Sequence, residues 1–322
     1  MVLGGVVQFL GLGTILMDLL MSIFQLFLPI LPGEFFPFFF GETVNGYPIL
    51  PLQRALIAAI VIGIVSGYLG NFLLAQNLAL IGDGLAHVSF GALAVVIVVI
   101  GATTDQLWYA LIITSVCAVI IHELQYRQIL TGDTSIAILM TGMLGLGLVI
   151  LRIGEVPLLD FEGYLFGDLY SITEYDLNFI VFCLLISMLL LAILRPLLLA
   201  MIIDPISARI QGIPVRAIGI IFSIVCAVVI ISMVKVIGAL LATALLVTPA
   251  ATAQLVSRSF KSCLLWTQFF GLLSVFMGLY FSAELGTGGG SMIAVVAAII
   301  FAIVAICKAS LSTYSKIKHN QN

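Results

Sequence analysis

Two residues of this 322-residue chain combine cation-binding side chains with a spacing that lets them act together. Asp83 and His87 lie in QNLALIGDGLAHVSFG, Gln76 to Gly91, and their i, i+4 separation puts them on one face of a helix. A carboxylate and an imidazole offer one oxygen and one nitrogen to zinc, manganese or ferrous iron, with no thiolate of the kind that copper(I) favours. The surrounding run is apolar, and such groups cost a few kcal/mol in hydrocarbon unless they turn toward a cavity, a partner or a transport path. A purely structural alternative has Asp83 capping the helix start and His87 bonding a neighbouring helix. The residue types favour the functional reading. Two side chains do not fill a metal shell, so water or a second helix must supply the remaining ligands.

Further chemistry lies in two other stretches. In the apolar run 236–256, Thr248-Pro249 predicts a helix break, because Pro249 lacks a donor and frees the carbonyl of Leu245. A break in a bilayer persists where protein or a water-filled path satisfies the freed groups. Thr248, Pro249 and Thr252 are therefore expected to line a path, the two threonines on one face with hydroxyls serving the freed carbonyls. The connection 152–177 carries Glu155, Asp160, Glu162, Asp168, Glu174 and Asp176 against one Arg. Such a run is a solvated loop or an attractor of cations.

The elements that must position these residues are set by composition. Hydrophobic residues make up 62% and charged residues 8% of the chain, against roughly 25% charged in soluble proteins, so the fold class is all-α and polytopic. About eight core transmembrane helices are expected, with a possible extra N-terminal one. Residues 1–32, apolar and free of Lys and Arg, read as a spanning or an interfacial helix and not as a cleaved signal peptide. Pro32, Pro37, Pro48 and Pro51 with the aromatic run Phe35 to Phe40 then predict an irregular connection near the headgroups. Gly63, Gly67 and Gly70 in one span, and Gly142, Gly145 and Gly147 in another, predict close helix packing. The segment 203–214, IDPISARIQGIP, is too short and polar to span and is expected to form a two-turn surface helix ending at Gly212 with Arg209 exposed. Placing the basic tail inside puts nine of the 12 Lys and Arg residues in the cytoplasm, as the positive-inside bias asks.

Several classes are excluded. With 12 Lys and Arg against 15 Asp and Glu, no basic surface exists to track nucleic acid. No GxxxxGK[ST] phosphate loop, GxSxG elbow or HExxH helix occurs, and the glycine cluster Gly286 to Gly290 has no Lys behind it. The chain is thus read as no enzyme, and any ATP hydrolysis belongs to a partner. Its five cysteines, with no CxxC, read as small buried hydrophobes.

LIGDGLAHVSFGALA at 80–94, GDTSIAI at 132–138, YLFGDLYSITEYDL at 164–177, DPISARIQGIPV at 204–215 and VKVIGALLATALLVTPAATA at 234–253 together resemble the permease subunits of binding-protein-dependent ABC importers for zinc, manganese and ferrous iron. The resemblance implies a multi-pass homodimer in a bacterial cytoplasmic membrane, served by a cytoplasmic ATPase and an extracytoplasmic metal-binding protein. It implies no resident cofactor, the divalent metal being cargo that passes near Asp83 and His87. It also implies that 203–214 is the coupling helix, with Asp204, Ala208, Arg209 and Gly212 at the ATPase contact. A bulky charge in place of Ala208 is then expected to uncouple ATP hydrolysis from transport while leaving the permease folded. Residues 47–308 form the permease domain on this reading, 1–46 lie outside it and 309–322 are a basic cytoplasmic tail. The chain departs from the family pattern at Ala75 to Asn77, where an Arg is often found, and at Gly286, where an Asp is often found. Glu284 nearby and Asp168 are the candidate external cation contacts. The alternative is a secondary transporter with Asp83 and His87 as a proton relay.

Overall fold

The computed structural model describes residues 11–25, 43–44, 47–48, 50–101, 106–157, 161–168 and 171–320. Within them the only strands are the two-residue β1 (Thr43–Val44) and β2 (Tyr47–Pro48), paired antiparallel. The helices are α1 (Leu12–Gln25), α2 (Leu50–Ala75), α3 (Ala79–Ile100), α4 (Gln106–Tyr126), α5 (Gly132–Ile153), α6 (Glu162–Phe166), α7 (Glu174–Ile203), α8 (Pro205–Ile210), α9 (Val215–Ile237), α10 (Ala242–Val256), α11 (Phe260–Leu285) and α12 (Gly289–Asn320). Eight of them, α2, α3, α4, α5, α7, α9, α11 and α12, are long and apolar enough to cross a membrane. The fold class and span number expected from composition are those observed. The expected aromatic connection at 35–40 and Asp160 lie outside the described residues.

Helix α2 is the axis of the bundle. Its most apolar window is 94% buried, whereas that of α5 is 17% buried. Small residues make this possible, since apolar lipid gives helices no hydrophobic reason to associate and close backbone contact must do so. Gly63 lies against Val275 and Gly67 against Thr267, both of α11, and a Cβ on Gly70 would stand 1.9 Å from the Leu246 carbonyl oxygen of α10. Asn71 completes the seam with a hydrogen bond from its amide to Thr267 (2.9 Å) and one accepted from the Cys263 thiol (3.0 Å). Four of the five cysteines are buried as expected; Cys307 is exposed, on the outer helix α12.

Three sequence expectations are corrected. The run 236–256 is not one span: Val236 and Ile237 finish α9, Gly238 turns the chain at φ +95°, and α10 starts at Ala242. Its 15 residues cover only about 21 Å, less than the hydrocarbon thickness of roughly 30 Å, so α10 is too short to cross on its own. The apolar run hid this turn. Second, Pro249 does not break α10, which continues to Val256. Third, Gly142 and Gly145 have no neighbour within 4 Å of a Cβ position, so only Gly147, against Gly91, joins the close packing of α5.

Helix α6 packs on the turn between α9 and α10. Ala239 and Leu240 donate their amides to the Tyr164 and Leu165 carbonyls (2.9 and 3.1 Å), and Asp168 donates its own to the Lys235 carbonyl (3.2 Å). Gly167, at φ +82°, is needed here because a Cβ would lie 2.5 Å from the Val236 oxygen. At the N-terminus, α1 lies along α7, where the Asn178 side-chain oxygen accepts from the amides of Gly13 and Thr14 (2.8 and 3.3 Å). The 14 described residues of α1 cover about 20 Å, less than the hydrocarbon thickness of roughly 30 Å. At the other terminus the helix of α12 runs on through the basic segment to Asn320.

The Gly70 contact yields a direct test. Gly70→Ala should cost about 1–3 kcal/mol and lower the melting temperature of the purified protein, followed by size-exclusion after heating. Gly132→Ala should leave it unchanged, since the nearest atom to a Cβ there is at 3.9 Å.

Candidate functional site

Asp83 and His87 sit early in α3, about 6 and 12 Å along the axis from Ala79. Helix α3 is held from two sides. Gly84 and Gly91 meet Ile136 and the Met143 carbonyl of α5, and Gly82 meets Leu246 and Thr243 of α10. With α5 on one side and α10 on the other, the face carrying Asp83 and His87 points between them. Asp83 is 40% and His87 14% exposed, with Nε2 3.8 Å from the Asp83 carboxylate. That is too long for a hydrogen bond. The buried Nδ1 also lacks a hydrogen-bond partner. Asp83 is the fifth residue of α3, which has no side-chain cap, so the capping alternative does not hold. Two ligand atoms each about 2.1 Å from one ion stand about 3.4 Å apart in a tetrahedron; a shift of a few tenths of an ångström would let the pair share one. Among the described residues no cluster of three or more His, Cys, Asp or Glu could hold a metal.

Farther along α3 toward α6 stands a cluster of aromatic rings. Phe90, one turn beyond His87, meets Phe161 edge-on with centroids 5.5 Å apart, and Phe161 meets Tyr164 at 5.4 Å. Phe90 and Phe161 are buried. Gln106 donates to the Tyr164 hydroxyl (2.7 Å). Burial pushes the Tyr164 phenol above its ordinary pKa, and the Asp176 charge adds to the rise. The acidic connection is therefore only partly a solvated loop. Asp176 is 4% exposed, accepts from Lys235 Nζ at 2.6 Å, and closes a capping box with Thr173 at the start of α7.

Pro249 and Thr252 are buried, Pro249 beside Gly271 of α11. The Thr252 hydroxyl donates to the Thr248 carbonyl (2.8 Å), the ordinary back-bond of a helical Thr, and not to the Leu245 carbonyl that Pro249 leaves free. The α10 threonine against the Asp83 helix is Thr243, its methyl at Gly82; its position three residues before Leu246 gave no sequence signal. Asp168 and Glu284 lie at the α6 end of the bundle, away from Asp83, Glu284 exposed near the C-terminus of α11.

At the opposite end, α8 forms where expected, with Asp204 capping the amides of Ile206 and Ser207 and accepting from the Ser207 hydroxyl. These bonds hold the Asp204 carboxyl below its usual pKa. Gly212, at φ +82°, ends the helix. Arg209 is exposed and lies over the Tyr126 ring at 5.4 Å. Ala208, however, is 2% exposed, whereas Ile203, Ile206 and Ile210 are 82%, 70% and 81% exposed. Ala208 thus faces the bundle, and a bulky charge there would strain the protein itself, contrary to expectation. The base is clamped by Glu123, which accepts from Arg127 (2.6 Å) and Arg216 (2.7 Å).

The model of the ABC 3 transport family matches residues 49–308. The chain belongs to that family. Similar proteins include the manganese transport system membrane protein MntC of Halalkalibacterium halodurans, 32% identical over 82% of this chain and 89% of that protein. The high-affinity zinc uptake system membrane protein ZnuB of Haemophilus influenzae is 30% identical over 78% of this chain and 95% of that protein. Among solved structures, PsaBC from Streptococcus pneumoniae in complex with Fab is 28% identical with a TM-score of 0.69, covering 78% of this chain and 90% of that one. Like its relatives in the ABC 3 family, the chain is a multi-pass protein of the cell membrane.

The family match begins at residue 49, so α1 lies outside it. Within it, the pairing of Asp176 with Lys235 joins residues 59 positions apart, a separation that spacing alone does not reveal. Removing one partner of a buried pair strands the other charge. Asp176→Asn or Lys235→Met should each destabilise by about 3–5 kcal/mol, and the double change Asp176→Leu with Lys235→Met should recover most of it. Thermal unfolding of the three purified variants checks this.

Proposed function

We propose that the chain is the membrane permease of an ABC importer that moves a divalent transition metal, manganese, zinc or ferrous iron, through a path that passes Asp83 and His87. The observation that carries the reading is the imidazole of His87, buried on one nitrogen without a partner and facing a half-open carboxylate with the other. An incomplete two-ligand site suits a transported ion, which must also leave. The relatives named for manganese and zinc transport support the cargo class.

A second copy of the chain is the proposed source of further ligands or walls. Helix α5, the least buried of the spans, flanks α3 and turns Thr141, Gly142 and Gly145 outward. Asp83 is open beside it. A two-fold dimer across this face would bring both pairs near the axis. Asp168 and Glu284 at the other end are proposed as external contacts for the ion or for the extracytoplasmic binding protein that delivers it, and Thr248, Pro249 and Thr252 as supports of the path. With 47–308 as the permease domain, the α8 end faces the cytoplasm.

ATP hydrolysis is assigned to a separate ATPase docking on α8. The trio Ile203, Ile206 and Ile210, exposed at a water-facing end, supports this, because clustered apolar side chains there suit a protein partner. A secondary transporter has no use for such a surface.

Asp83→Asn and His87→Ala should each lower metal accumulation in cells at least about tenfold, with permease level and ATPase co-purification unchanged. Wild-type accumulation in both would defeat the metal path. For α8, Ile206→Glu should leave the permease's melting temperature unchanged and abolish ATPase co-purification or transport-coupled hydrolysis; a fully coupled complex would remove α8 as the docking element.

A further inference from the structure

A groove of about 540 Å³ runs between α2, α7 and α11 on the outside of the bundle, toward its α8 end. Its α11 side is one helical stripe, Lys261, Leu265, Gln268 and Leu272 at i, i+4, i+7 and i+11. Its α7 side carries Met188 and, seven residues later, Arg195. Lys261 is the second residue of α11, and Arg195 lies eight residues before the end of α7, about 12 Å from it. Both cations therefore stand at the α8 side of the groove with apolar wall on the other.

The groove is built into the helix packing. Gln268 donates its amide to the Ile64 carbonyl (2.9 Å) and so fixes α11 to α2 along the floor. No Asp or Glu lines it. Among the described residues neither Arg195 nor Lys261 forms an ion pair, whereas Arg216, Arg127 and Lys235 each have a carboxylate. A guanidinium a turn or more inside a span is costly unless it reaches the headgroups or meets an anion. Basic pockets between membrane helices that adjoin apolar wall fit anionic headgroups with their chains attached.

We infer that this groove is a binding site for an anionic phospholipid of the leaflet on the α8 side, its phosphate between Arg195 and Lys261 and an acyl chain along Met188, Leu265 and Leu272. The two unpaired cations select against zwitterionic lipid, and the apolar wall selects against free phosphate. The site is distinct from Asp83 and His87 and stands whether or not those residues pass a metal.

The test uses the purified full-length protein and native mass spectrometry. Wild type should retain phosphatidylglycerol over phosphatidylcholine of the same chains by about tenfold. Arg195→Gln with Lys261→Gln should bring that ratio close to one, while Arg258→Gln, a cation outside the groove, should leave it unchanged. A photoreactive phosphatidylglycerol carrying a diazirine in its acyl chain should label Leu265 and Leu272 in the wild-type protein, a readout that needs no variant. Equal retention of the two lipids, an unchanged ratio in the double variant, displacement by inorganic phosphate, labelling spread evenly over the outer helices, or a groove shut by a second copy of the chain would each overturn the proposal.

Discussion

Where α3 crosses α5, no side chain fits between the backbones, and the direction in which Asp83 and His87 point follows from that exclusion. A Cβ on Gly91 would stand 2.2 Å from the Met143 carbonyl oxygen, and one on Gly147 would stand 2.9 Å from the Gly91 Cα. Gly84 and Gly91 are two turns apart, so they mark one stripe of α3 and fix its rotation about its own axis. Gly82 fixes it again from the α10 side. With both flanks locked, the stripe between them cannot turn toward lipid or toward the packed interior. Glycine in mid-helix costs roughly 1 kcal/mol each in propensity, and the close approach it permits supplies dispersion contacts that lipid would otherwise share out.

Other buried polar groups divide into those with partners and those without, such as Trp108 Nε1, Thr114 Oγ1 and His122 Nε2; what sets Asp83 and His87 apart is that the two face each other on one helix face. Asn71 places its amide on Gly67 and Thr267 and receives the Cys263 thiol. Asp176 has Lys235 and the Thr173 amide. His87 and Asp83 sit one turn apart on a helix whose neighbours could have offered a carbonyl or a hydroxyl, yet their nearest polar atoms are 3.8 Å apart. In a low-dielectric interior an unmade bond of this kind costs about 1–3 kcal/mol. A ligand that binds there gains back that cost, so the defect is one side of a binding equilibrium.

Much of this was legible in the residues, and the parts that were not share a cause. The i, i+4 pair and the surface helix at 203–214 are local patterns, and local patterns survive folding. The Gly238 turn did not show because its flanks, Val236-Ile237 and Ala239 to Leu241, are as apolar as any span; only the bonds to Tyr164 and Leu165 from α6 explain it. The side on which Ala208 lies depended on how α8 leans against α7 and α9. Thr243 carries no local signal, because Pro249 marks only its own neighbours Thr248 and Thr252, while the contact of Thr243 with Gly82 depends on where another helix runs. Each miss is a property of a pair of elements and not of one.

Those pairings also define a mechanical route through the chain. Helix α8 joins α9 by only Gln211 to Pro214, and the start of α9 is held to α4 by Arg216 on Glu123. The other end of α9 carries Lys235, which grips Asp176 and, through its carbonyl, Asp168. From there the chain bonds α6, and α6 follows directly on Phe161, whose ring meets Phe90, one turn along α3 from His87. A tilt of α9 driven from α8 would therefore move both ends of a 23-residue rod whose far end is bonded to α6 and so to Phe161. Packed elements shift between discrete arrangements and do not deform continuously, so such a tilt would part the Phe90–Phe161 contact or leave it whole. On the proposed reading, that contact is where a force applied by an ATPase is turned into access to Asp83 and His87 from the α6 side.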